Sequence, residues 1–409
     1  MKKIAFHSKA HFYLSLLVAF FLPLARCVPI IIILLGINWL IEADFKQKFK
    51  RLATTRFGIL FCSLYILYLI GLLYTDNLHS GTFDIQVKLS LLIFPLLYGS
   101  RPLKKGDLKF VFFALIAGCI TCSFILLIRS IYNFTVTGDV SYFFYEPFSA
   151  YLIHPSYLAM YVNLAICWVL VQLKDSEQVF GKRTLLISLL LICYLSFIVV
   201  LLSSKLGLIT LTIIYLSSFI YYCRKKYVLG LIGILLTGII AVAIFKFVPS
   251  VAERINNSIH SLTAPTVDNA DAESTTVRML IWKASNQVIA EHPIFGSGTG
   301  DSKDVLMAEY KKRGMTGAYE HALNAHNEFY QVFVSIGLIG FIVLCAQLFL
   351  PLFVSIKEKN SIYTFFIILI ILNFLPESML ESEGGVMFYG FFNSILCFSF
   401  LPKEKTINV

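Results

Sequence analysis

Apolar runs of 13 to 24 residues recur along the chain, the longer of them able to cross ~30 Å of hydrocarbon. They fall at 11–25, 28–42, 57–74, 87–99, 109–129, 155–172, 184–202, 206–222, 227–247, 327–350, 361–375 and 386–401. A polar stretch at 248–325 interrupts the pattern, and shorter ones lie at 75–86 and 130–154. The pattern predicts an all-α, polytopic membrane protein of about twelve transmembrane helices with one large loop. Three parts follow: nine helices over 1–247, a loop domain over 248–326, and three helices with a tail over 327–409. Inside the loop, 276–291 reads as an amphipathic helix, with Val277, Leu280, Ile281, Ala284 and Val288 on one face. Ser274 or Thr275 is placed to cap it, and His292-Pro293 to stop it. Residues 264–273, with Pro265, Asp268, Asn269 and Asp271, read as a loop without regular structure.

Composition agrees: 58% of the residues are hydrophobic and 14% charged, too little charge for the surface of a soluble protein this long. The charge also orients the spans. One set of connections carries Lys46, Lys48, Lys50, Arg51 and Arg56, then Arg101, Lys104 and Lys105, then Lys182, Arg183, Arg224, Lys225, Lys226, Lys357 and Lys359. The opposite short loops hold mostly Arg26, Lys88, Arg129 and Lys205. By the positive-inside rule both termini are cytoplasmic and the long loop faces outward. The net charge of +10 is then topology and contact with anionic membrane lipid, not a nucleic-acid footprint. The basic start followed by an apolar run resembles a secretory signal. Arg26 argues against cleavage before Cys27, so the segment reads as an uncleaved hairpin. Cys119 and Cys122 have CxxC spacing inside an apolar helix, without a partner His or Cys, and read as small packing residues.

Candidate chemistry gathers where the loop re-enters the membrane. Ala325-His326-Asn327-Glu328 stands at that boundary, with Asn324 placed to cap the next helix and put His326 in its first turn. A neutral imidazole there can act as general base, with Asn327 and Glu328 orienting it; the alternative is a boundary histidine without a catalytic role. Arg278, Trp282 and Ser285 share a second face of the loop helix. An Arg beside a Trp suits a phosphate-bearing lipid, or else a plain interfacial anchor. Lys205 interrupts two apolar helices on the outer side, where a cation needs a partner such as a diphosphate or must snorkel to water. Lys88 sits similarly at the start of the fourth span. Glu377, Glu381 and Glu383 precede the last span and could hold an acceptor sugar or a basic partner. Gly296, Gly298 and Gly300 lack the strand or Lys-Ser/Thr of a nucleotide loop, and read as a flexible turn.

Taken in order, Ser203-Ser204-Lys205, Arg278 with Trp282, His292-Pro293 with Gly296 and Gly298, Ala325-His326-Asn327, and Gly337-Leu338 with Gly340 resemble the O-antigen ligase and polymerase superfamily of bacterial inner-membrane glycosyltransferases. Gly71 to Asp76, Lys88 and His154-Pro155-Ser156-Tyr157 are similar to the ligase branch. The resemblance implies a GT-C-like helical enzyme with a large periplasmic loop. It would move a glycan from undecaprenyl diphosphate onto lipid A-core, with no nucleotide sugar, cofactor or essential metal. His326 matches the family's proposed base and Arg278 its diphosphate-binding arginine. Lys205 stands where the family usually has arginine, keeping the charge without the bidentate fork. A polymerase and a protein-glycosylating transferase share these features. A polysaccharide-lipid transporter, the rival of another class, would instead line a pathway with charge through the membrane.

Overall fold

The computed structural model describes residues 2–25, 27–175, 182–223 and 275–400, and every regular element among them is helical. The expected span at 227–247, the loop residues 248–274 and the capping residue Ser274 lie outside the described residues. Each of the other eleven expected spans coincides with a helix. Among the described residues six helices are long and apolar enough to cross a membrane: Ala5–Leu24, Leu78–Ser100, Lys105–Thr137, Pro155–Leu173, Arg183–Leu202 and Glu328–Lys357. A seventh is gained if Val28–Glu42 and Phe45–Thr54, bent by 114°, count as one. Gly58–Tyr74, Lys205–Ile220 and Ser361–Phe374 are shorter apolar helices. The chain is therefore a multi-pass membrane protein, all-helical over the described residues.

The fold divides into two compact units. One comprises Met1–Asn38 and Gly106–Asn256, the other Trp39–Lys105 and Asn257–Val409. The first unit packs its helices through small residues. A Cβ on Gly118 would stand 2.1 Å from the Phe20 carbonyl oxygen, so glycine permits that approach. Cys119 and Cys122 are buried free thiols, and the Cys122 thiol donates to the Pro23 carbonyl at 3.1 Å. Pro155–Asp175 is the buried core helix here, and Asn163 donates to the Gly207 carbonyl at 2.9 Å and Thr210 Oγ1 at 2.6 Å.

In the second unit the last helix, Glu383–Phe400, is buried from Gly385 to Phe398 and packs against Ser90–Ser100. Here the sequence reading needs correction. The fourth span begins at Leu78, not near residue 87: Leu78–Lys88 and Ser90–Ser100 run on as one 23-residue apolar span. Thr82, Asp84, Gln86 and Lys88 made its first half look like loop. Two of those charges neutralise each other in place, because Lys88 pairs with Asp84 one turn earlier at 3.1 Å.

The Glu328–Lys357 helix is broken. Ile336 and Gly337 leave helical geometry, Gly337 at φ +66 and ψ −162, which is essentially glycine territory. Such a break strands carbonyls inside a membrane span unless something else satisfies them. The 296–300 turn supplies the donors: Ser297 N–H donates to the Val334 carbonyl at 2.9 Å and Gly298 N–H to that of Ser335 at 3.0 Å. In return Leu338 N–H donates to the Pro293 carbonyl at 3.0 Å. Further along, Thr299 Oγ1 donates to the Tyr68 carbonyl at 2.7 Å, and Asp301 accepts from the N–H groups of Asp76 and Asn77 at 2.8 and 2.7 Å. The turn expected to be flexible is thus a clip: the Ser297 and Gly298 amides bond the break, and those of Gly296, Thr299 and Gly300 bond His292, Gly71 and Thr75. A Cβ on Gly337 would meet the Ile294 carbonyl oxygen at 2.2 Å. Gly337→Ala is therefore expected to cost about 2–5 kcal/mol, read as a lower melting temperature in detergent. An unchanged melting temperature would contradict this account of the break.

Candidate active site

The described part of the large polar segment, residues 275–325, folds as a small helical cap. Thr275–Glu291 lays Val277, Ile281, Ala284 and Val288 against Leu306, Tyr310, Met315, Ala318, Ala325 and Val334, all buried. The apolar face read from the sequence is the face that packs. The second face splits. Ser285 is buried and returns its hydroxyl to the Ile281 carbonyl at 2.9 Å. Trp282 is partly buried against the same core, its ring parallel to that of Tyr330 at 6.1 Å. Its indole N–H donates to the Ala325 carbonyl at 3.2 Å, while Ala325 N–H donates to Gln331 Oε1 at 3.1 Å. Trp282 thus packs against this core and grips the backbone beside His326.

His326 does not lie in the first turn of a helix. The helix starts at Glu328, and its cap is Asn327, whose Oδ1 accepts from the N–H groups of Phe329 and Tyr330 at 2.9 and 3.2 Å. Asn324, expected as the cap, instead closes a short turn by accepting from His326 N–H at 3.0 Å. Between the two asparagines His326 adopts φ +44, a left-handed conformation that a non-glycine residue keeps only when its surroundings fix it.

What fixes it is the 375–381 segment that follows the Ser361–Phe374 helix. Asn327 N–H donates to Ser378 Oγ at 3.2 Å, and Asn327 Nδ2 donates to the Leu375 carbonyl at 2.8 Å. Glu328 is fully buried and accepts the Leu380 N–H at 2.7 Å through Oε2, while Oε1 has no hydrogen-bond partner. Neither residue orients the imidazole as expected; both hold the backbone on its far side. The group at the ring is Glu377. Its Oε2 stands 3.5 Å from His326 Nδ1, and its Oε1 accepts from the Arg278 guanidinium at 2.8 Å. All three side chains are about three-quarters buried, with 21–29% of their surface exposed. One carboxylate thus bridges the arginine and the histidine, from positions 99 residues apart for the arginine and 51 for the histidine.

The other expected cations are placed differently. Lys88 has no exposed side-chain surface and is paired with Asp84 and, at 2.8 Å, with Glu381. Its ammonium is thus committed to two carboxylates, where the sequence reading expected a diphosphate. Glu381 is correspondingly committed to Lys88 and is not open to an acceptor sugar. Burial raises its carboxyl above the ordinary range, with the Lys88 ammonium pulling the other way. Lys205 opens the Lys205–Cys223 helix in the other unit and is half-buried. Beside it Ser204 donates to Ser156 Oγ at 3.2 Å, so the Ser203-Ser204-Lys205 and His154-Pro155-Ser156 segments adjoin. His154 is half-buried, 3.6 Å from Glu146. Among the described residues no group of three or more His, Cys, Asp or Glu side chains could hold a metal ion.

Residues 188–345 match the O-antigen ligase family. The match includes Lys205, Arg278 and His326. An uncharacterized protein of Haemophilus influenzae is 27% identical over 188 residues. That stretch covers 43% of this chain and 46% of the relative, so the chain spans about half the length of the relative it matches.

Proposed function

We propose that this protein is an O-antigen ligase, transferring a glycan from undecaprenyl diphosphate to lipid A-core. The observation that carries the reading is the Glu377 carboxylate set between Arg278 and His326, inside or beside a stretch that matches the family. Glu377 at Nδ1 leaves Nε2 as the atom that accepts the proton of the acceptor hydroxyl. The carboxylate steadies the imidazolium that forms, as in other histidine–carboxylate pairs. The acceptor oxygen attacks the anomeric carbon, that carbon's bond to the diphosphate oxygen breaks, and the anomeric configuration inverts. A diphosphate leaving group departs as an anion, so it calls for positioned cations rather than a protonating acid. Arg278 uses one N–H on Glu377 and keeps others for phosphate oxygens. The lipid carrier accounts for a site at a membrane boundary. In this reading twelve spans put both termini in the cytoplasm and the cap in the periplasm, within the bacterial inner membrane.

The test is lipopolysaccharide from cells that lack this protein, run beside an assay for lipid-linked polymer. Bare core with long polymer accumulating on its carrier is the expected outcome. Core bearing a single repeat would instead identify a polymerase, and an unchanged ladder would remove the protein from this pathway.

A further inference from the structure

Lys88 is a fully buried cation that the proposed chemistry does not use. Its ammonium lies 2.8 Å from Glu381 and 3.1 Å from Asp84, and 4.9 Å from the centre of the Tyr68 ring. Glu328 lies within electrostatic reach of the same ammonium. Three carboxyl groups thus surround one cation in a buried pocket, where removing the cation leaves charge that nothing offsets.

The pocket connects directly to the reacting histidine. Along the 375–381 segment, Leu375, Ser378 and Leu380 are tied to Asn327 and Glu328, and Glu381 is tied to Lys88 on the neighbouring span. Glu377 sits within this tethered stretch and faces His326. The first three ties join it to the turn that carries His326. The Lys88 tie joins it to a different, membrane-embedded helix.

We infer that Lys88, Glu381 and Glu328 form a buried charge lock that fixes the 375–381 segment and so sets Glu377 against His326, which makes Lys88 a positioning residue and not a phosphate ligand. The inference rests on the ligase reading for its catalytic consequence. The lock itself is a matter of charge pairing and stands apart from the substrate.

The experiment compares wild type, Lys88→Met, Glu381→Gln and the double variant in detergent. For each, the kcat of transfer, the KM for the lipid-linked donor and the melting temperature are measured. Lys88→Met is expected to lower kcat by about 100-fold, with donor KM held within about threefold. Adding Glu381→Gln removes the stranded charge nearest the lost ammonium, leaving Asp84, and is expected to recover at least about tenfold of that loss, a non-additive result. Glu381→Gln alone leaves Lys88 its Asp84 partner and is expected to lower kcat about tenfold. A phosphate ligand would behave otherwise: donor KM would rise in Lys88→Met, and the double variant would be no better. Either of those results overturns the inference. If Lys88→Met does not accumulate as folded protein, Glu381→Gln decides, and wild-type kcat in that variant overturns the lock. Wild type without transfer would sink the ligase reading alone, because the melting temperatures still report whether the two substitutions are non-additive.

Discussion

His326→Ala is expected to lower the kcat of glycan transfer by about 10²–10⁴-fold, with donor KM changed by no more than about threefold. The expectation comes from what the structure arranges around this side chain. Its backbone is held in a left-handed conformation by Asn324 on one side and by Asn327 on the other. The carbonyl before it is gripped by Trp282, and its Nδ1 faces Glu377. Four contacts with one orientation as their common result make sense for a side chain whose direction matters. Because the fold rests on the asparagines and on Glu328, alanine at 326 leaves those ties intact, so the variant should melt like wild type. A loss of activity that tracks a loss of folded protein would contradict a chemical role. Full activity in a folded His326→Ala protein would remove the base from the mechanism.

The second large effect concerns Arg278. Arg278→Ala is expected to lower kcat by about 10²–10³-fold, the usual result of deleting a group that stabilises charge as it develops. Arg278→Lys separates two roles. Lysine restores a positive charge near Glu377 but not a fork that can hold the carboxylate and a phosphate at once. Partial recovery, still at least about tenfold below wild type, is the expected outcome for a bidentate role. Complete recovery would show that a point charge suffices and that the planar geometry does nothing for the reaction. Kinetics with the lipid-linked donor, at matched amounts of folded enzyme, distinguish the two.

Much of this site was legible before any coordinates, for identifiable reasons. Hydropathy finds spans because the bilayer demands long apolar runs, and helices meet eleven of the expected positions. It failed over Leu78–Lys88, where charge is neutralised within the fold: Lys88 meets Asp84 one turn away and Glu381 almost three hundred residues on. No local pattern encodes the second pairing. The apolar face of Thr275–Glu291 was legible because periodicity of 3.6 is a local property, and its residues are the ones that pack. The polar face was only half legible, since the partners of Arg278 and Trp282 lie far along the chain.

The cap of the Glu328–Lys357 helix was misread for a different reason. Asn324 and Asn327 both have the chemistry of a cap, and only the path of the backbone decides between them. Gly337 was legible as a signature but not as a cause. Its positive φ and its closeness to the Ile294 carbonyl explain why glycine stands there. Gly296 and Gly298 answer the same break from the other side, which is why a turn that reads as flexible is hydrogen-bonded along its length.

The central claim is that glycan moves from a lipid diphosphate to lipid A-core at the Arg278–Glu377–His326 cluster. The most direct test incubates the purified protein in detergent with an undecaprenyl-diphosphate-linked glycan and lipid A-core, and follows the products by mass spectrometry. The account predicts lipid A-core extended by the glycan, with undecaprenyl diphosphate released in equal amount and neither formed by His326→Ala. Glycan joined to glycan on the carrier, or no product from folded protein in a system without a second compartment, would contradict it.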